Sequence, residues 1–257
     1  MFDLGLAGKV AIITGGSDGL GRAAAQRLAS EGANVAICGR RRDYLEQAAR
    51  ELSADAGGTV IPVQADVTSA DDCTRLVDET ERQFGGIDIL INNAGASAAS
   101  LLADVTDDAW QADFDLKVMA AVRLCRAVAP LMRAQGGGSI INASIGGGKA
   151  PPAGQLPTSL TRAAGLNLTK SLANEFAPAN IRVNAICIGL LKSAQWERRA
   201  GNDGLNALYK QMGEKVPLGR VGNAEDYGDL AAFLCSDRAT YITGTAINLD
   251  GGMCPVL

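Results

Sequence analysis

Val10-Ala11-Ile12-Ile13-Thr14-Gly15-Gly16-Ser17-Asp18-Gly19-Leu20-Gly21 is the stretch that decides the fold of this chain. Its opening residues are small or β-branched and apolar, the composition of a strand buried on both faces. Gly15, Gly19 and Gly21 punctuate the turn that follows, and Arg22 to Ser30 continues in helical fashion. A strand passing through a glycine-rich turn into a helix brings backbone N–H groups and a helix N-terminus up to a pyrophosphate. A glycine cluster alone is weak evidence; this one sits in the required strand-to-helix context.

Outward from this unit, short β-rich runs alternate with longer helical patterns. Strands are expected at 9–14, 34–38, 59–64, 87–91, 139–143, 181–187 and 245–249. Helices are expected at 20–30, 42–54, 70–84, 107–134, 160–176 and 224–235. Such alternation implies βαβ crossovers: an α/β fold of Rossmann type, with a doubly wound parallel seven-stranded sheet and helices on both faces. No linker-like stretch divides the chain, so residues 1–257 are read as a single domain. One connection, 189–219, is unusually long for a link between two elements. One or two short helices are expected in it, from the composition of 196–199 and 205–212. It is read as a lid over the substrate, with a packed helical excursion serving oligomer contacts as the alternative.

With 257 residues, 47% of them hydrophobic and 20% charged, the chain has the means for a large core. A net charge of −4 offers no electrostatic case for nucleic acid or an anionic membrane. No apolar run approaches the roughly 20 residues of a membrane helix. Residues 1–10 lack the basic start and apolar stretch of a signal peptide. The chain has no histidine, and its six cysteines form no C-x-x-C pair. That argues against a metal site and against any histidine-based triad. The expectation is a cytoplasmic protein with reduced, buried thiols.

Further motifs fall in order along this frame. Thr14, Gly15, Gly19 and Gly21 fit T-G-x-x-x-G-x-G, and Asp66-Val67 follows the third strand. Asn92-Asn93-Ala94-Gly95 follows the fourth, Ile181-Arg182-Val183-Asn184 forms the sixth, and Asp250-Gly251-Gly252 closes the series. Through these motifs the chain resembles the classical short-chain dehydrogenase/reductase family over essentially its whole length. The resemblance implies a nicotinamide dinucleotide cofactor and a small-molecule substrate. It assigns Gly15, Ser17, Asp18, Gly19, Leu20 and Gly21 to the pyrophosphate turn and Asp66 with Val67 to the adenine. Asn93, Ala94 and Gly95 would line the cleft, while Gly189, Ser193 and Arg162 would meet the nicotinamide end. It also implies a homotetramer, or failing that a dimer, built through the long helices 107–134 and 160–176.

The second strand bears on which nucleotide is bound. It ends Ile37-Cys38-Gly39-Arg40-Arg41-Arg42, with no carboxylate before Asp43. An acidic residue here hydrogen-bonds the ribose of NAD, whereas a guanidinium grips a 2′-phosphate. NADP(H) is therefore expected over NAD, with Arg40 and Arg41 as clamps. The alternative is that these arginines merely solvate the start of the next helix. Asp18 runs against the preference, because NADP-preferring relatives often carry a basic residue there.

The family reduces carbonyls with Asn, Ser, Tyr and Lys, and this chain departs at each position. Lys117 stands at the asparagine, Ile145 at the serine with Ser144 as its neighbour, Thr158 at the tyrosine and Arg162 at the lysine. Lys117, Ser144, Thr158 and Arg162 are thus the catalytic candidates. Of the tyrosines, only Tyr209, in the long connection, has a location from which it could substitute. Three readings follow. The chain is an NADP(H)-dependent oxidoreductase with a rebuilt acid–base system, best suited to activated C=C or C=N substrates. Or it is a lyase or aldolase-type enzyme using Lys117 as base or Schiff-base nucleophile. Or it is a non-catalytic nucleotide-binding or scaffold protein. For Lys117 the plain alternative is pairing with Asp113 or Asp115 on its own helix.

Overall fold

The computed structural model describes residues 3–193, 196 and 204–257. Seven parallel strands form one sheet in the order β3-β2-β1-β4-β5-β6-β7. They are β1 (Val10–Thr14), β2 (Asn34–Gly39), β3 (Val60–Gln64), β4 (Ile89–Asn92), β5 (Gly138–Ile145), β6 (Ile181–Ile188) and β7 (Ala246–Leu249). The helices between them are α1 (Gly19–Ser30), α2 (Arg42–Ala54), α3 (Ala70–Phe84), α4 (Asp107–Phe114), α5 (Ala120–Ala134) and α6 (Thr158–Phe176). After β6 come α7 (Leu205–Gly213) and α8 (Ala224–Cys235). The expected doubly wound α/β architecture is what the chain adopts.

Each strand in the centre of the sheet is buried on both faces, which is why β1 reads as an unbroken apolar run. One core layer packs Leu28 of α1, Leu45 of α2 and Tyr227 of α8 against Ile13, Ile37 and Ile186. The opposite layer packs Leu76 of α3, Leu124 and Val128 of α5 and Phe176 of α6 against Ile12, Leu90 and Ile140. Gly228 lets α1 and α8 approach closely, since a Cβ there would lie 2.7 Å from the Ala23 carbonyl oxygen. Side chains cap several helices: Ser69 accepts from Asp72 N, Thr106 accepts from Ala109 N, and Asn223 forms a reciprocal capping box with Asp226.

The structure differs from the sequence expectation where a single helix was expected over 107–134. A five-residue π-helical turn, Asp115–Met119, interrupts it between α4 and α5. The wider turn brings Lys117 and Val118 to the buried side. Helix α6 also begins earlier than expected, so Thr158 lies in its first turn. Of the short helices expected in the long connection, the second is α7. The first, at 196–199, lies outside the described residues apart from Trp196. Among the described residues, no helix is long and apolar enough to cross a membrane.

All six cysteines are free thiols, and five are buried. Burial pushes Cys38, Cys125 and Cys235 each up to about 12. Unfolded thiols ionise near about 8.5. Between those values the unfolded chain holds fewer protons than the folded one, so stability falls as pH rises. The expected loss is about 1.4 kcal/mol per pH unit for each such thiol. Urea unfolding should therefore show a lower midpoint at pH 10 than at pH 8, and Cys235→Ala should shrink that dependence while Cys38 and Cys125 maintain the rest. Equal midpoints at both pH values would contradict the account.

Candidate active site and cofactor cleft

The strand order reverses direction between β1 and β4, and in open α/β sheets ligands bind at the carboxyl ends of the strands beside such a point. The chain builds a tight junction there. Thr14 Oγ1 accepts from the backbone N–H groups of Asn93 and Ala94, at 2.9 Å each. Asn93 Nδ2 donates to the Thr14 carbonyl at 3.0 Å. The glycine turn then folds back over this junction. Gly15 and Gly19 have φ of +66° and +53°, which glycine adopts without strain. A Cβ on Gly21 would collide with the Gly15 carbonyl, and one on Gly16 would lie 2.6 Å from Ile37. Gly16 is thus as tightly constrained as the motif glycines, although the motif leaves its position open. Asp18 caps α1 by accepting from Gly19 N at 2.8 Å, and Leu20 follows in the first turn.

The residues expected at the adenine and ribose gather on the β1–β2–β3 side. Ser17 Oγ lies 3.5 Å from where a Gly39 Cβ would stand, at the end of β2. Arg40 follows directly and is exposed; its carbonyl is fixed by Gln64 Nε2 at 3.0 Å. Among the described residues the Arg40 guanidinium has no ion pair or hydrogen-bond partner. Arg41 differs, because its guanidinium stacks on the Tyr44 ring at 4.0 Å. Asp66 accepts from Thr68 N and Thr68 Oγ1, forming a local turn, while Val67 is buried. On the other side of the cleft, Gly189 packs against Asp250, whose Cβ would lie 2.5 Å from an added Cβ. The Ser193 Cβ stands 4.0 Å from the corresponding point on Gly19, so the chain after β6 arches over the glycine turn.

At the substrate end Lys117 and Thr158 join Asp113 and Thr161 in one hydrogen-bonded cluster, with Arg162 lining the same cavity as Lys117 and Thr161. Lys117 Nζ donates to Asp113 Oδ1 and, at 3.1 Å, to Thr158 Oγ1. Asp113 Oδ2 accepts from Thr161 Oγ1 at 2.7 Å. Thr158 Oγ1 also accepts from Ala98 N at 2.9 Å, which ties the loop after β4 across it. The side chains of Lys117 and Asp113 are 1% and 4% exposed. Burial pulls the Lys117 ammonium below the ordinary lysine range and Arg162 adds to this, while the hydrogen bond that Lys117 donates to Asp113 opposes it. Arg162 Nη1 donates to the Ala143 carbonyl at 2.6 Å, and Nη2 reaches the Gly95 backbone, 2.5 Å from where a Cβ would stand. Ser144 Oγ donates to the Arg162 carbonyl at 3.3 Å.

The structure therefore brings Lys117, Thr158 and Arg162 to one place but turns Ser144 into a backbone brace. Of the partners considered for Lys117, it selects Asp113; Asp115 instead faces Arg123 at 3.6 Å. Asp113, Thr161 and Ala98 are members of the site that the motifs did not single out. The i, i+4 spacing of Asp113 and Lys117 was the available signal, and only the π-helical turn made their pairing a buried one. Tyr209 lies on α7 with Lys192 over its ring at 5.9 Å.

Known proteins share this fold over the whole chain. Residues 15–254 match the family model described as enoyl-(acyl carrier protein) reductase. Dehydrogenase/reductase SDR family member 4 of Homo sapiens is 38% identical over 248 residues, covering 96% of this chain and 88% of that protein. The 3-oxoacyl-(acyl-carrier-protein) reductase FabG of Staphylococcus epidermidis is 37% identical over 247 residues, covering 95% and 98%. The crystal structure of L-sorbose reductase from Gluconobacter frateurii, complexed with NADPH and L-sorbose, superposes with a TM-score of 0.95 at 38% identity, covering 100% of both chains.

Proposed function

The chain belongs to the short-chain dehydrogenase/reductase family, and from that premise we propose that it is an NADP(H)-dependent oxidoreductase acting on a small organic substrate through a non-standard proton site. The observation that carries the cofactor choice is Arg40, exposed at the end of β2 and without an internal partner among the described residues. A guanidinium so placed is free to take a 2′-phosphate bidentately, with Ser17 beside it. The glycine turn, with positive φ at Gly15 and Gly19, fits a pyrophosphate approached by backbone N–H groups. When bound, NADPH supplies a hydride.

The protein's own residues shape what can accept it. Thr158 Oγ1 accepts two hydrogen bonds under the Ala98 loop, and an alkyl hydroxyl is a far weaker acid than a phenol. Losing positioned proton donation costs about 10²–10⁴-fold in rate for an ordinary carbonyl. Activated C=C and C=N acceptors lose least, because less charge must be neutralised in the transition state. A ketose such as L-sorbose, bound by the structural neighbour, belongs in the same screen behind them. Lys117 is no part of a Schiff-base mechanism in this proposal, since its ammonium is buried and held by Asp113.

One observation favours a second reading, nucleotide binding without hydride transfer: Asp113, Lys117, Thr158 and Thr161 hydrogen-bond to one another. Titration with NADPH and NADH, followed by the fluorescence of Trp110 and Trp196, tests the cofactor choice. Loss of NADPH absorbance with an enone, an imine, a simple ketone and a ketose then tests turnover. NADPH should bind at least about tenfold more tightly than NADH, as one charge-assisted contact requires. Turnover should be fastest on the activated acceptors. Binding without turnover on any of them leaves the second reading, and absence of binding sinks both.

A further inference from the structure

Behind the cleft lies a small cavity of about 20 Å³, lined by Thr14, Asn92, Lys117, Asn142, Thr161 and Arg162 among others. A chain of side-chain hydrogen bonds ends there, and its direction can be worked out. Thr169 Oγ1 lies 2.8 Å from the Gly165 carbonyl, which has no hydrogen to give, so the single hydroxyl hydrogen of Thr169 is used in that bond. Thr169 must then accept from Asn142, which places Asn142 Nδ2 toward it at 2.9 Å. Asn142 Oδ1 is left to accept from Asn92 Nδ2, also at 2.9 Å. The remaining atom, Asn92 Oδ1, is a buried acceptor with no partner among the described residues. Arg162 Nε is likewise a buried donor without one.

Both residues line the same cavity, and each atom demands an opposite kind of partner. Asn92 Oδ1 needs a donor, which excludes a halide. Arg162 Nε needs an acceptor, which excludes a cation. We propose that this cavity is a binding site for a single water molecule that accepts from Arg162 Nε and donates to Asn92 Oδ1. Its volume exceeds the about 10–15 Å³ that one water needs, and leaving both groups unpaired costs more than immobilising one water. The water couples Arg162, whose Nη2 reaches Gly95 on the cleft side, to the asparagine chain running between β4, β5 and α6. Asn92 is thereby a positioning residue for the Arg162 guanidinium. The water site stands on the chain's own geometry, and only its consequence for NADPH rests on the function proposed above.

A crystal structure at high resolution, grown in sodium bromide, tests the site. One spherical density feature within hydrogen-bond distance of both atoms, without bromide anomalous signal, is the expected result. An anomalous peak, or a direct contact between Arg162 and Asn92 with no density between them, overturns it. The positioning role is read from Asn92→Leu, with NADPH and 2′,5′-ADP as probes; the latter reaches Arg40 but not Arg162. NADPH binding should weaken about fivefold, the worth of one net hydrogen bond, while 2′,5′-ADP binding stays unchanged. Unchanged NADPH affinity, or equal weakening of both probes, overturns the positioning role. If neither probe binds the unaltered protein, the cofactor reading fails and the density result still decides the water site.

Discussion

Lys117→Met is expected to lower the free energy of unfolding by about 3–5 kcal/mol, the range for removing one partner of a buried ion pair. The Asp113 carboxylate is 4% exposed and would be left with Thr161 Oγ1 as its hydrogen-bond donor. Methionine fills most of the lysine stem's volume, so the loss comes from the stranded charge rather than from a cavity. The double variant Asp113→Asn with Lys117→Met separates the causes. Removing both charges should restore most of the lost stability, because a buried pair and a neutral replacement are often close in energy. Urea unfolding of both variants supplies the measurement. A loss below about 1 kcal/mol for the single variant would place the pair among solvent-screened ones and refute the buried cluster. Both variants being equally destabilised would point to packing damage instead.

Arg40→Asp should reverse the cofactor preference. Losing charge-assisted bonds to a 2′-phosphate removes about 1.5–3 kcal/mol, or roughly 10- to 150-fold in affinity. The new carboxylate adds repulsion toward that phosphate, so the expected weakening for NADPH is about 100-fold or more. The same carboxylate can accept from a ribose 2′-hydroxyl, so NADH binding should hold or strengthen. Arg40 is exposed and its side chain holds nothing else in place among the described residues, so the fold should be unaffected. Arg41→Ala should cost less, since Arg41 is engaged with Tyr44. Parallel loss of both nucleotides, or no change in either, would remove Arg40 from the cofactor site.

Most of the fold was legible because its signals are local. The Val10–Thr14 run, the glycine turn and the alternation of apolar strands with amphipathic helices each follow from a short stretch of chain and its immediate physics. The residues expected to hold a cofactor have legible positions for the same reason: Gly15, Arg40 and Asn93 directly follow β1, β2 and β4, and Gly19 opens α1. The substrate end was not. The family resemblance singled out Lys117, Thr158 and Arg162, yet it left open what each would touch.

What the sequence by itself determined is the doubly wound sheet, with its switch point between β1 and β4, and the presence of Lys117, Ile145, Thr158 and Arg162 where the resemblance expects Asn, Ser, Tyr and Lys. Only the tertiary structure decided that Lys117 turns inward to Asp113, that Ala98 closes over Thr158, and that Arg162 and Asn92 meet at one cavity. The reason is range. Strand and turn preferences are set by residues a few positions apart, whereas these contacts join α4, the π-helical turn, the loop after β4 and α6. Whether a lysine there becomes an exposed base or half of a buried pair depends on one extra residue in a helical turn and on the dielectric around it, and neither can be read from spacing.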